Sequence, residues 1–177
     1  MMHTRFGGKA AAITAVVAIG GACAAVAVQS PASASSVSET YSCNTSFGTK
    51  TVTAQGSLTA TPNPAAAGSA VSFDLDITST DLSAPVTINS WTATADIAGS
   101  GAESSAFTVT GSGGSIPSGQ DISNLNLTGS WTPSAAGSDS FTVGDVTIKA
   151  QVTLLGTQTV TCTPTGTVPV AETLSVS

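Results

Sequence analysis

The chain has almost none of the side chains on which nucleic-acid binding and most catalysis depend. After residue 34 it contains no histidine, no arginine and no methionine, and its only lysines are Lys50 and Lys149. Phosphate backbones are bound mainly through Lys and Arg, so nucleic acid is excluded as a partner. All ten acidic residues lie in this part, and two lysines against ten acids leave a net charge of about −8, which favours solubility and disfavours docking on anionic lipid.

The first 34 residues have the pattern of a secretory signal peptide. Arg5 and Lys9 precede an apolar stretch over 10–28 that is mostly Ala, Val, Ile and Gly. The segment Ala32-Ser33-Ala34 then matches a small-x-small cleavage site. We therefore predict an exported protein that meets the membrane only through this leader, before its cleavage.

Two alternatives to cleavage and release stay open. The apolar stretch is about as long as a membrane-spanning helix needs, so the leader is also compatible with an uncleaved anchor. A lipidated Cys23 would tether the protein as well, but the residues before it, Gly20-Gly21-Ala22, lack the bulky aliphatic side chain expected there. We predict a signal peptide over 1–34 and one secreted domain over 35–177, extracellular or associated with the cell envelope.

Cys43 and Cys162 lie near the two ends of the secreted domain. Export to an oxidising space favours a disulfide between them. Two thiols without a histidine make a poor zinc site, and a pair of free buried thiols is the alternative. Closing so long a loop would stabilise the fold by roughly 4–5 kcal/mol in the chain-entropy model.

A two-residue period in hydrophobicity runs through the secreted domain. Apolar residues occupy every second position over 71–77 and over 146–154, and small or apolar residues do so over 125–131. This alternation is typical of half-buried strands, and the abundance of Thr and Val favours strands too. Cys43 and Cys162 fall on the inward parity of their own runs, as an interstrand bridge requires.

Glycine and proline turns divide the domain into about eight or nine short runs. Such spacing predicts an all-β fold, an Ig-like antiparallel β-sandwich closed by one disulfide. The alternation breaks at two places, between Ile88 and Trp91 and over 143–146. We expect a β-bulge or a sharp bend at each break.

Several of these turns form a recurring set together with the cysteines. The set consists of Tyr41-x-Cys43, Pro62-x-Pro64 with Gly68, Gly129…Pro133, the segment 141–146 and Cys162. In these motifs the chain resembles a family of secreted β-sandwich domains of unknown function from high-GC Gram-positive bacteria. The resemblance spans nearly the whole secreted domain. It implies an extracellular or envelope-associated module, and it brings no catalytic residues with it.

Candidate catalytic groups are few. A serine nucleophile needs a base beside it, and the only amines are Lys149, on the outer parity of a predicted strand, and Lys50, beside a turn. Asp96 and Glu103 are the least implausible carboxylate pair for cleaving a glycosidic bond, but nothing marks a cleft for sugar. We predict no enzyme, no catalytic residues and no cofactor.

Asp74, Asp76 and Asp81 are candidate oxygen ligands for calcium. Their spacing does not match an EF-hand loop. Strand alternation already explains Asp74 and Asp76 as residues of a solvated face. We therefore predict no metal site.

Trp91 and Trp131 are the side chains best suited to stack on a sugar ring or to anchor a partner. Trp91 shares the parity of Ala93 and Ile97, and Trp131 shares that of Leu127, so we expect both in the core. An exposed Trp would instead favour glycan binding. Their exposure therefore separates the two hypotheses.

These observations favour a non-catalytic structural or interaction module that presents a surface to an unidentified extracellular protein or glycan. One alternative is a carbohydrate-binding module that uses Trp91 or Trp131. The other is an inhibitor of an extracellular hydrolase that acts through a protruding loop, for which 111–119 is the best candidate. The flexible Ser112-Gly113-Gly114 sequence counts against a rigid inhibitor loop.

Overall fold

The computed structural model describes residues 35–46 and 48–177, and this part of the chain is all β, without a helix. The all-β prediction is therefore confirmed. Accordingly, none of the described residues belongs to a helix that could cross a membrane. The strands in chain order are β1 (Val37–Thr45), β2 (Gly48–Thr61), β3 (Val71–Thr80), β4 (Ile88–Gly101), β5 (Ser105–Gly113), β6 (Leu125–Trp131), β7 (Gly137–Val152), β8 (Gly156–Pro164) and β9 (Glu172–Val176).

The nine strands form one antiparallel sheet in the order β4-β5-β6-β3-β2-β1-β8-β7-β9. β4 also pairs with β7, from Ile88 opposite Val152 to Gly101 opposite Asp139, so eight of the strands close into a ring. The first part of β7 lies between β4 and β9, and its second part lies between β4 and β8. This closed arrangement is compatible with the Ig-like sandwich, which stays a prediction.

The alternation of apolar and polar residues positions the strands. β3 buries Val71, Phe73 and Leu75 and exposes the residues between them. Complete burial of such a side chain stabilises a fold by about 1.5–3 kcal/mol, so a one-residue slip of this strand would be costly. The strand predicted over 71–77 is confirmed.

Both predicted irregularities are present where β4 pairs with β7. The register shifts between Ile88 and Ser90, and again between Ala95 and Ile97. At the second shift Ala95 faces Val146 and Ile97 faces Val143, so β7 holds the extra residue. The breaks in alternation were therefore β-bulges, which keep apolar residues on the inner face on both sides of each break.

Cys43 and Cys162 are bonded, as predicted. They face each other directly in the ladder between β1 and β8, with their Cα atoms 3.9 Å apart, and both are buried. The bridge thus joins the first strand to the eighth. Phe47, which has the same parity as Cys43 in the sequence, lies outside the described residues.

One element of the predicted pattern is wrong. Leu154 was expected to continue the inward face of its strand, but β7 ends at Val152 and Leu154 is 99% exposed. The chain reverses over 153–155, where the Leu155 N–H donates to the Val152 carbonyl at 3.3 Å. A period-two pattern cannot show where a strand stops when an apolar residue occupies the turn.

Four aromatic rings fill one end of the interior. Phe73 lies 4.7 Å from Phe107 and 4.8 Å from Phe141, measured between ring centroids, and Trp131 meets Phe141 edge to face at 5.5 Å. Gly99 makes room for Phe141, since a Cβ there would lie 2.7 Å from the ring. The opposite end of the interior is lined mainly by aliphatic side chains.

Candidate functional site

The two lysines are exposed. Lys149 stands between Thr92 on β4 and Thr159 on β8, and Lys50 pairs with Cys43 on β1. An amine acts as a base toward serine only when desolvation or a neighbouring cation lowers its pKa. Both lysines are exposed, in agreement with their interpretation as solvated charges.

Glu103 has a structural hydrogen-bonding role. It accepts hydrogen bonds from the Ser134 backbone N–H at 3.0 Å and from the Ser134 hydroxyl, and these bonds lower the pKa of Glu103. Its own N–H donates to the fully buried Asp139 at 3.0 Å. The acid proposed as its catalytic partner, Asp96, is exposed on β4.

The candidate calcium ligands serve as hydrogen-bond acceptors on the outer face. Asn126 donates its side-chain amide to Asp74 at 2.6 Å and to Asp76 at 2.9 Å, which joins β6 to β3. Asp81 accepts the Thr53 N–H at 2.8 Å. Within 35–46 and 48–177 no three acidic, histidine or cysteine residues are grouped to hold a metal ion.

Neither tryptophan presents a freely exposed ring. Trp91 is 8% exposed and lies so close to Gly113 that a Cβ there would be 2.5 Å from the indole. Trp131 is half-buried, nearly parallel to Phe107 with 6.4 Å between centroids. The expected core position is confirmed for Trp91, and Trp131 packs against the core. Sugar stacking by either residue stays a prediction.

The proposed inhibitor loop over 111–119 is held along the body of the domain. Ile116 and Ile88 exchange both backbone hydrogen bonds, each at 2.9 Å, and Gly119 donates its N–H to Ala84 at 2.8 Å. An inhibitor loop has to stand clear of the surface to enter an active site. This segment does so only in part.

Leu155-Gly156 predicts the turn between β7 and β8, but the sequence did not show that Leu154 belongs to this turn. Leu154, with φ of 71°, occupies the third position of a four-residue turn, where a positive φ calls for Gly or Asn. Leu154 is 99% exposed and Leu155 is 50% exposed. We call these two residues the leucine tip. The available signal was a Leu-Leu-Gly sequence at the end of a strand.

Sequence reasoning also missed an acid on an inward position. The acid is Glu39, which shares the inner face of β1 with Val37, Tyr41 and Cys43. All four residues line a cavity inside the sheet. The Tyr41 hydroxyl donates to Glu39 Oε2 at 3.1 Å. Burial raises the pKa of Glu39, although the bond from Tyr41 opposes the change, and burial next to Glu39 raises the pKa of Tyr41.

The leucine tip and the inward acid are two features of the described domain that packing and strand pairing do not explain. The tip is exposed at a chain reversal, and the acid is half-buried among apolar side chains. Both are assigned from the geometry of this chain alone. Comparison with protein-family models, with curated proteins and with solved structures finds no match.

Proposed function

We propose that this protein is a secreted, non-catalytic interaction module that binds an extracellular or cell-envelope protein through its leucine tip. The observation that carries the proposal is the combination of a left-handed backbone and complete exposure at Leu154. A bulky residue in that conformation costs of order 1–3 kcal/mol. Because the exposed side chain makes no packing contact within the domain, nothing in the folded domain offsets this strain. Contact with a partner would explain why a leucine occupies the position.

The use of the acidic side chains supports a role without catalysis. Glu103, Asp81 and Glu172 each accept hydrogen bonds that attach a loop or a strand to its neighbour. Groups engaged in this way have a structural role in holding the domain together. The lack of histidine and arginine after residue 34 points the same way.

The chemistry of the surface describes the partner. A net charge of about −8 disfavours anionic lipids and teichoic-acid-like polymers. Two adjacent exposed leucines fit a small apolar pocket on another protein, because apolar anchors gain most of their energy in desolvated pockets. The disulfide supports a location outside the cell.

Cosedimentation of the purified secreted domain with isolated Gram-positive cell envelopes tests this proposal. The variant Leu154→Gly removes the side chain and suits the left-handed backbone, so we expect a folded protein that no longer sediments. The control Val170→Ser removes another exposed apolar side chain, 52% exposed, and should leave sedimentation unchanged. Equal sedimentation of wild type and Leu154→Gly would refute the role of the tip.

The carbohydrate-binding alternative has one observation in its favour. Trp91 borders an open groove lined by Ser115, Asn124 and Asn126, whose hydroxyl and amide groups are typical partners of sugar hydroxyls. Asn124 has a φ of 55°, so Asn124→Gly would preserve the backbone while removing the amide. Retardation on a polysaccharide affinity gel that Asn124→Gly abolishes, and that Leu154→Gly leaves intact, would establish this alternative.

A further inference from the structure

The closed sheet contains a cavity of about 120 Å³ at the end opposite the aromatic cluster. On β3 the aromatic cluster holds Phe73 while the cavity is lined by Leu75 and Ile77. β7 shows the same division, with Phe141 in the cluster and Val146 at the cavity. The interior is therefore densely packed at one end and hollow at the other.

The hollow end reaches the surface. Ile77, Leu82, Ile122 and Ile148 line the cavity and are only half-buried, as is Val37 at the start of β1. A sealed packing defect would have fully buried walls. Here the apolar wall extends to the rim, where a molecule from solvent can enter.

Small residues keep the cavity open. Ala54 and Ala150 line it at positions where a larger aliphatic side chain would fill it. Gly56 also lines it, at the register shift in β2, where a Cβ would lie 2.5 Å from the Asp76 carbonyl oxygen, so the close approach of β3 accounts for this glycine. Empty apolar volume destabilises a fold, so a volume left open by the two alanines indicates an occupant.

Glu39 and Tyr41, which line the cavity together with the polar residues Gln55 and Thr80, define one end of that occupant. Glu39 Oε2 is engaged by Tyr41, but Oε1 accepts no hydrogen bond from the described residues. A carboxyl group offers an acceptor oxygen whether or not it is protonated. A ligand donor in the cavity would therefore satisfy Glu39.

The charge of the wall excludes an anionic ligand. Glu39 is the charged residue among those that line the cavity, Asp145 acts electrostatically on the neighbouring Tyr41, and the described lining contains neither lysine nor arginine. A carboxylate or phosphate placed there would face like charge without a counterion. A neutral donor meets no such barrier.

The geometry points to a binding site for a compact apolar molecule, about the size of one aromatic ring, that carries a hydroxyl group and donates it to Glu39. The size follows from the volume, because an apolar cavity of roughly 150 Å³ in another protein binds benzene. Such a ligand would bury its ring against the aliphatic wall and direct its hydroxyl toward β1. This site is separate from the leucine tip and does not depend on the proposed function.

Titration with benzyl alcohol, toluene and benzoate, followed by methyl NMR of the full secreted domain, tests the site. We expect saturable shifts of the Ile77, Val146 and Ile148 methyl groups with benzyl alcohol. Toluene should bind about 3- to 10-fold more weakly, the range expected when one hydrogen bond is lost. Benzoate should give no saturable shift.

Variants separate the cavity from its polar end. Ala150→Phe fills the cavity and should abolish the shifts, while Ala98→Phe, on the exposed face of β4, should keep them. Glu39→Leu should reduce benzyl alcohol to the affinity of toluene, whereas Glu39→Gln, which retains an acceptor, should not. Should Ala150→Phe fail to fold, Ala54→Leu serves in its place.

Three results would overturn the inference. No saturable shift with benzyl alcohol would remove the site. Binding that survives a folded cavity-filling variant would place it elsewhere. Equal affinity of benzyl alcohol and toluene, unchanged in Glu39→Leu, would leave an apolar cavity without the proposed donor.

Discussion

At the scale of single residues, Glu39 and Leu154 depart most clearly from what their positions require. Glu39 occupies an inward position on β1 between Val37 and Tyr41, and Leu154 occupies a turn position suited to glycine. Each choice costs stability in the isolated domain. Residues of this kind are where function is expected to conflict with folding.

The first prediction concerns the pH dependence that Glu39 imposes. Burial raises the pKa of its carboxyl above the ordinary value of 4.5, so the folded state favours the protonated form. Stability therefore falls as the pH rises through the raised pKa, and the loss is absent below the ordinary value. Glu39→Gln should be more stable than wild type at pH 7 and equal to it near about pH 3.5.

Thermal unfolding of both proteins at the two pH values measures this difference. Asp121→Asn, a charge removal on the exposed surface, controls for the change in net charge. A gap between wild type and Glu39→Gln that stays the same at both pH values would contradict the account of Glu39.

The second prediction concerns backbone strain at Leu154. Leu154→Gly should leave the free energy of unfolding unchanged or raise it by up to about 1 kcal/mol, because glycine adopts a positive φ without steric cost. Leu155→Gly, at a neighbouring position without a positive φ, should lower it by about 0.5–1 kcal/mol. Urea unfolding of the wild type and the two variants measures these differences. A Leu154→Gly variant that is less stable than Leu155→Gly would contradict the presence of backbone strain at Leu154.

At the scale of elements, β5 and β6 are joined by the shortest ladder of the ring. A single residue pair, Thr110 opposite Thr128, joins them in the ladder. Two glycines, Gly111 and Gly129, let the backbones approach each other there, since a Cβ on either would lie within 2.5 Å of a carbonyl oxygen on the other strand. Close backbone approach substitutes for a longer ladder.

The third prediction tests this contact between β5 and β6. Gly111→Ala places a Cβ 2.1 Å from the Asn126 carbonyl oxygen, so the strands must move apart, and we expect a loss of about 1–3 kcal/mol in unfolding free energy. Gly114→Ala is the matched control, because nothing lies within 4 Å of its Cβ and no loss is expected. Equal stability of the two variants would show that the pairing of β5 with β6 does not depend on contact at Gly111.

The same elements show what the sequence could predict. Alternation predicted the strand over 71–77 and both bulges. The two faces of a strand, and an interruption of their alternation, can be recognised from residues that are neighbours in the sequence. The pairing of β4 with β7 was beyond this reasoning, since residues 88–101 carry no local mark of their distant partner. Leu154 was wrongly assigned to the strand for a related reason. An apolar residue in a turn continues the apolar alternation of the strand before it, so the sequence does not show where the strand ends.

The candidate site was harder to predict from the sequence than the strands were. Parity carried from Cys43 through Tyr41 to Glu39 would have placed an acid inside the domain, so this signal was present. The cavity beside Glu39 was not readable, because it arises where Ala54, Gly56 and Ala150, from different strands, meet. The exposure of Trp131 similarly depended on the neighbours Phe107 and Phe141.

At the scale of the whole molecule, the Cys43–Cys162 bridge is the fourth prediction. It closes a separation of 119 residues, and replacing both cysteines by alanine should lower the unfolding free energy by about 2–5 kcal/mol. Denaturant unfolding of the double variant beside the oxidised wild type measures this. A loss below about 1 kcal/mol would mean that the ring of strands, without the bridge, already restricts the chain.

The closure of the sheet is the claim on which the enclosed cavity and the packing of the interior depend. Cross-strand nuclear Overhauser effects between β4 and β7 test it most directly, at the pairs Ala93 with Ile148 and Gly99 with Phe141. The closed sheet predicts backbone contacts at both pairs, together with slow amide exchange along β4. Absence of these contacts in a folded protein that keeps those between β4 and β5 would contradict closure, because the sheet would then be open along β4 and β7.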